Sequence, residues 1–211
     1  PCMILDGNFK NYDMKGNSDG APILMEAIRY SFPKEFILKL ISKGADVNLK
    51  TKKGYHMLMF VKDPEIAKAM VEKKADVNAA VEGFSVLSFA VSTGNAELVK
   101  LYLDAKADPN ICADKGAPPI FCAIENNLEL VKLLVEYKAD VNAIVLGKRS
   151  PLFLAIDRKK LDIAKYLLEN KANVNYEDNN GRSALSLAIY LKDVEFIDYL
   201  ITNGARYTND V

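Results

Sequence analysis

One histidine, three cysteines and two short basic runs are the side chains from which chemistry could be assembled in this sequence. Each falls short of a site. His56 is the only histidine, so there is no second imidazole to complete a zinc cluster or a paired base. It stands immediately before a short apolar run, at a place where a side chain can cap a helix. Cys2, Cys112 and Cys122 are an odd, scattered set, which does not make a disulfide framework. Cys122 lies in an apolar run and reads as a small buried hydrophobe. Cys2 follows Pro1, whereas a lipid-modified cysteine follows a small residue. Gly147-Lys148-Arg149-Ser150 echoes the end of a phosphate loop, but that loop needs a glycine five residues before the Gly-Lys pair, and Asn142 stands there. Asp157-Arg158-Lys159-Lys160 reads as a solvated turn. No catalytic residue, metal ligand or cofactor-binding residue is assigned, and the chain is not read as an enzyme.

The elements that could position any site are set by a repeat. Lys138-Ala139-Asp140-Val141-Asn142 recurs as Gly44-Ala45-Asp46-Val47-Asn48, Lys74-Ala75-Asp76-Val77-Asn78, Lys106-Ala107-Asp108-Pro109-Asn110 and Lys171-Ala172-Asn173-Val174-Asn175. Gly204-Ala205-Arg206-Tyr207 is a decayed sixth copy. The alanines fall at 45, 75, 107, 139, 172 and 205, in steps of 30, 32, 32, 33 and 33 residues. A period of that size marks an array of supersecondary units, whose length measures repeat number rather than domain number. Half of the 211 residues are hydrophobic, ample for a continuous core.

Each unit has one grammar. A polar or mixed tip ends at Gly20, Gly54, Gly83, Gly116 or Gly181, and in the fifth unit at Lys148 beside Gly147. A short apolar helix follows, as in Ser150-Pro151-Leu152-Phe153-Leu154-Ala155 and Ser183-Ala184-Leu185-Ser186-Leu187-Ala188. Its hydroxyl residue can cap the helix, and proline suits the first turn. After a turn such as Ser92-Thr93-Gly94-Asn95 comes a second helix. In the fourth unit it carries Leu128, Leu130, Val131, Leu133, Leu134 and Val135, a stripe wider than one face, as a helix between neighbours needs.

The tip glycine, the Ser-Pro-Leu-x-Leu-Ala helix, the Glu-Leu-Val-Lys-Leu helix and the Ala-Asp-Val-Asn exit together resemble the ankyrin repeat, over about residues 20 to 208. The resemblance implies an all-α solenoid of antiparallel helix pairs with hairpin-like tips. Its units would span about 20–48, 49–78, 79–110, 111–142, 143–175 and 176–211, behind an N-terminal covering segment at 1–19. The chain departs from the family pattern in three ways, the first being that Met59, Ser88, Phe121, Phe153 and Ser186 stand where the family commonly has a first-helix histidine. Lys74, Lys106, Lys138 and Lys171 stand where the family has a left-handed glycine, and a lysine reaches that conformation only at a steric cost. The second unit is about three residues short: Val61 to Ala75 is 14 residues, against 17 from Ala155 to Ala172. The loss is expected between its helices, at Asp63-Pro64. It should leave a notch or a bend that Tyr30 and the Ser92-Thr93 turn approach.

The resemblance also implies that tips and first helices line a concave groove that binds other proteins. The central tips are unusually apolar, in Ala79-Ala80-Val81-Glu82-Gly83-Phe84 and Ala143-Ile144-Val145-Leu146-Gly147. An apolar row rimmed by charge often marks a protein contact, although the same side chains could pack tip against tip. The candidate contact residues are Tyr55, Val81, Phe84, Cys112, Ile144, Leu146 and Arg149, with Lys52, Lys53, Lys115 and Lys148 completing the rim.

Lys+Arg and Asp+Glu are 28 each, so charge gives no reason to expect nucleic acid or an anionic membrane surface. No apolar run approaches the ~18 residues that a membrane span needs. The sequence starts at Pro1, which leaves a preceding segment open and the compartment undecided. The expected function is a non-catalytic scaffold that binds a protein partner. The alternative is the regulatory part of a larger enzyme or channel. The final helix carries Val194, Phe196, Ile197, Tyr199, Leu200 and Ile201, as apolar as an interior helix. That end is expected to be covered by a returning tail, by further sequence or by self-association.

Overall fold

The computed structural model describes residues 23–112, 116–145 and 147–207. The segment 1–19, Lys115, Leu146 and the last four residues lie outside the described residues, and with them the expected covering role of the N-terminal segment. The fold divides into two compact units between Asp108 and Pro109.

In the first unit α1 (Ile23–Arg29) packs on α2 (Lys34–Ser42). A single 3₁₀ turn, Met57–Phe60, leads to α3 (Pro64–Glu72). The hairpin β1 (Ala80–Val81) and β2 (Phe84–Ser85) precedes α4 (Val86–Ser92) and α5 (Ala96–Asp104). One row stacks α1, the 3₁₀ turn and α4, and a second row stacks α2, α3 and α5. In the second unit the antiparallel pairs are α6 (Pro119–Asn126) with α7 (Leu128–Glu136), α8 (Pro151–Asp157) with α9 (Leu161–Glu169), and α10 (Ala184–Leu191) with α11 (Val194–Thr202).

First helices start where the sequence expects them. Ser85, Ser150 and Ser183 each accept a hydrogen bond from a backbone N–H three residues on, at 3.1, 3.2 and 3.2 Å. Second helices are capped by Asp63, Asn95, Asn127 and Asp193. Every second helix then ends in the same paired motif. Lys106 N–H donates to Leu103 O and Ala107 N–H to Tyr102 O, and the pattern repeats at Gly44, Lys74, Lys138, Lys171 and Gly204. This Schellman arrangement needs a left-handed residue. The four lysines occupy it with φ of 66°, 70°, 72° and 69°. Lys159 and Lys192 do the same at the ends of first helices, at 56° and 59°. Replacing Lys106 by Gly removes the Cβ clash but adds chain entropy to the unfolded state, so a net gain of about 0.5–1 kcal/mol is expected in urea unfolding. A loss of stability would contradict this.

The asparagine of the recurring pentapeptide has a use that the sequence alone did not reveal. Asn78 Nδ2 donates to Lys106 O at 3.2 Å, and its Oδ1 accepts from Asp108 N–H at 2.8 Å. Asn48 makes the same two bonds to Lys74 O and Asp76 N–H. Asn110 reaches Lys138 and Asp140, Asn142 reaches Lys171 and Asn173, and Asn175 reaches Gly204 and Arg206. Each side chain thus satisfies a helix-end carbonyl and a turn N–H one repeat away, where the lysine or glycine turns the chain.

The short second repeat differs from expectation in where it loses residues. The first helix itself collapses to the Met57–Phe60 turn, and Val61-Lys62-Asp63 runs directly into α3. A cavity of about 440 Å³ opens beside it, lined among others by Ser31, Phe32, Met59 and Asp63. Tyr30 and the Ser92-Thr93 turn do not line it: Tyr30 projects into solvent at 65% exposure. The charge run at the α8–α9 turn is exposed at Asp157, Arg158 and Lys159 and half-buried at Lys160, and it is not merely solvated. Arg158 pairs with Glu125 at 2.9 Å, and Lys160 Nζ donates to the carbonyls of Glu125 and Asn126 at the end of α6.

Candidate functional site

Consider first the tips of the first unit. Thr51 closes its tip from both sides: its N–H donates to Tyr55 O, and its Oγ1 accepts from Tyr55 N–H. Gly54 takes φ of 84° in that turn, and a Cβ there would stand 3.2 Å from Val81 Cγ2. Val81 therefore packs tip against tip, and Ala79 beside it is buried. The Tyr55 hydroxyl donates to the Glu82 carboxylate of the next tip. That bond, then burial, pushes the phenol up.

Two equivalent aromatic pairs follow. The Tyr55 and Phe60 rings lie edge to face at 6.1 Å, and those of Phe84 and Phe89 at 5.9 Å. In both cases the second ring comes from the first helical element, five residues after the tip residue. The Arg29 guanidinium lies 5.7 Å over the Phe60 ring and pairs with Glu26 at 3.5 Å. Tyr55, Phe60 and Phe89 are half-buried, and Phe84 is 47% exposed. A cavity of about 530 Å³ opens over this surface, lined by Arg29, Thr51, Lys52 and Lys53 and floored by Tyr55, Phe60 and Phe89. Sequence reasoning named Tyr55 and Phe84 but missed Phe60 and Phe89. The signal was available, since both hold the same place in the repeat.

In the second unit Ile144 is 42% exposed, and the exposed Arg149 bridges back to Val145, whose N–H donates to Arg149 O at 3.2 Å. Cys112 is half-buried with a free thiol. Cys122 is half-buried in α6 rather than fully buried as expected. It shares the repeat position of Phe60 and Phe89, and burial, with Glu125 nearby, raises its thiol further out of reach of neutral pH. The last tip is held by Asp178. Its Oδ1 accepts from the N–H groups of Asn180 and Arg182 at 2.8 and 3.0 Å, and its Oδ2 from the Arg182 guanidinium at 2.7 and 2.9 Å. Burial pushes this carboxyl up, but the Arg182 and Asn180 hydrogen bonds outweigh it and hold it below the ordinary range. Arg182 in turn lies 5.2 Å over the Phe153 ring.

His56 is fully buried. Its Nδ1 accepts from Leu58 N–H, capping the 3₁₀ turn, and its Nε2 donates to Asn48 Oδ1, both at 3.2 Å. Burial lowers it to about 4, so the imidazole is a neutral structural cap at neutral pH. Among the described residues no group of three or more His, Cys, Asp or Glu could hold a metal ion, and no helix is long and apolar enough to cross a membrane.

Tips, paired helices and a recurring helix-end motif define a helical-repeat array. A family model described as ankyrin repeats (three copies) matches residues 24–113, 55–145 and 121–210, and the chain belongs to the ankyrin-repeat family. The crystal structure of the human ASB11 ankyrin repeat domain superimposes with a TM-score of 0.72 at 28% identity, over 87% of this chain and 84% of that one. No curated protein matches the sequence. The fold is the all-α ankyrin solenoid expected from the sequence, and arrays of this family are generally protein-interaction modules.

Proposed function

We propose that this chain is a non-catalytic scaffold, an array of six units over residues 20–211 that binds a protein partner through its tips and first helices. The observation that carries the reading is the duplicated aromatic pair. Tyr55–Phe60 and Phe84–Phe89 repeat one geometry in consecutive repeats, with rings left partly open to water. Aromatic anchors of this kind dominate protein interfaces. The second unit has its own exposed tip residues, Ile144 and Arg149, with Cys112 as a further candidate there; Leu146, also a candidate, lies outside the described residues. Val81, half-buried and packed on Gly54, is a further candidate contact in the first unit.

The test uses a partner captured on the full chain and then purified. Phe84→Ala and Ile144→Asp should each weaken its binding about tenfold or more, by calorimetry, with the melting temperature nearly unchanged. A large fall in melting temperature for both, with affinity intact, would mean that these side chains serve tip packing instead.

Self-association through the C-terminal end belongs to the same proposal. Ile189, Tyr190, Val194 and Ile201 on α10 and α11 are 44%, 80%, 70% and 54% exposed. Light scattering should show mass rising with concentration, and Val194→Lys with Ile201→Lys should abolish the rise. A constant monomer mass at high concentration would remove this part of the reading.

A further inference from the structure

We propose that the trough around Arg29 and Phe60, opened by the shortened second repeat, binds an acidic segment of a partner protein that carries one aromatic or aliphatic anchor. This rests on the protein-binding reading above and narrows it to a partner chemistry.

The trough follows from the missing residues. With the first helix of that repeat reduced to Met57–Phe60, the two cavities of about 530 and 440 Å³ share Arg29 and Phe60 as common lining. The larger one has room for a few side chains, within the usual range of binding pockets. Its floor is aromatic, from Tyr55, Phe60 and Phe89. An apolar anchor seated there would remove water from three rings at once.

Charge decides what flanks the anchor. Lys52 and Lys53 stand exposed on the rim, and neither makes an ion pair among the described residues. Lys62 lines the smaller cavity. Arg29 presents its charge over Phe60 and is only loosely shared with Glu26 at 3.5 Å. The carboxylates close by keep their charge but are turned to other donors, and among the described residues none makes an ion pair with Lys52, Lys53 or Lys62. Asp63 accepts from the N–H groups of Glu65 and Ile66 as the cap of α3, and Glu82 accepts from the Tyr55 hydroxyl. A basic segment would meet lysines that hold no ion pair of their own, whereas carboxylates on either side of the anchor would pair with them. Lysines at a rim act chiefly on selectivity and association rate, while the ring floor supplies most of the affinity.

The experiment uses the full chain and four fluorescent probes followed by anisotropy. Three are pools of short peptides: Phe, Leu or Met flanked by Asp and Glu; the same centres flanked by Lys and Arg; and Ser flanked by Asp and Glu. The fourth is a single-stranded oligonucleotide of mixed sequence. The first pool should bind at least about tenfold more tightly than the other two pools and the oligonucleotide. Lys52→Ser with Lys53→Ser, both exposed, should erase most of that preference without altering the circular dichroism, and Phe60→Leu should weaken all binding of the first pool. Equal binding of the three pools, preference for the oligonucleotide, or a preference untouched by the two lysine changes would overturn the inference. Partner capture that still responds to Phe84→Ala would then leave the scaffold reading standing.

Discussion

Lowering the pH from 7 to 5 is expected to cost the fold about 2 kcal/mol, and the loss should disappear when His56 is replaced by Thr. The sign follows from burial. In the folded chain the imidazole titrates at about 4, because burial disfavours its charged form, while in the unfolded chain it titrates near 6.5. Between those values the unfolded state takes up a proton that the folded state refuses. Stability is therefore full above pH 6.5, falls as the pH drops toward 4, and is then flat for this group, with a total of about 3 kcal/mol. Geometry gives the same answer. Nδ1 accepts the Leu58 N–H and Nε2 donates to Asn48, so a second proton would land where the capping bond is made. No other histidine titrates in this window. Threonine retains a capping oxygen without the titration. Urea midpoints should fall between pH 7 and 5 for the natural chain and stay level for His56→Thr. Equal midpoints for the natural chain, or the same fall in the variant, would contradict the assignment.

Asp178→Ala is expected to destabilise the second unit by about 2–3 kcal/mol at pH 7. The carboxylate is almost fully buried and accepts four hydrogen bonds, two from the backbone of its own tip and two from Arg182. Truncation leaves two N–H groups without their acceptor and frees the guanidinium that covers Phe153. Asp178→Asn keeps an acceptor for the backbone and should cost about half as much. Because the folded-state carboxyl is held below its ordinary range, this contribution is present above the unfolded pKa and is lost only as pH falls through the lowered folded-state pKa. Acid should thus act in two separable steps, His56 first and Asp178 second. A change within about 0.5 kcal/mol for Asp178→Ala, by urea unfolding, would show that the tip holds without it.

What the sequence revealed and concealed follows from how local each feature is. The repeat register, the serine caps and the left-handed lysines are written in contiguous residues, and the structure has them where the spacing puts them. The role of the recurring asparagine was hidden, because its partners lie about 30 residues on and only stacking brings them near. The shortened repeat was visible as a count, but not its consequence, since whether the helix or the turn gives way depends on packing against α1 and α4. Tyr55 and Phe84 stood out as apolar tip residues. Their partners Phe60 and Phe89 looked like ordinary helix residues until the rings were seen to meet. Val81 stood out as an apolar tip residue too, but its packing on Gly54 of the preceding tip was not legible, because the two lie 27 residues apart.

The measurement that bears most directly on the scaffold reading is amide hydrogen exchange on the full chain, with and without a saturating partner. Binding through tips and first helices predicts slower exchange at Thr51 to Phe60, at Ala80 to Phe89 and around Ile144 to Arg149. Exchange along the outer helices α3, α5, α7 and α9 should be unchanged. Protection confined to those outer helices, with the tips exchanging as fast as in the free chain, would contradict it.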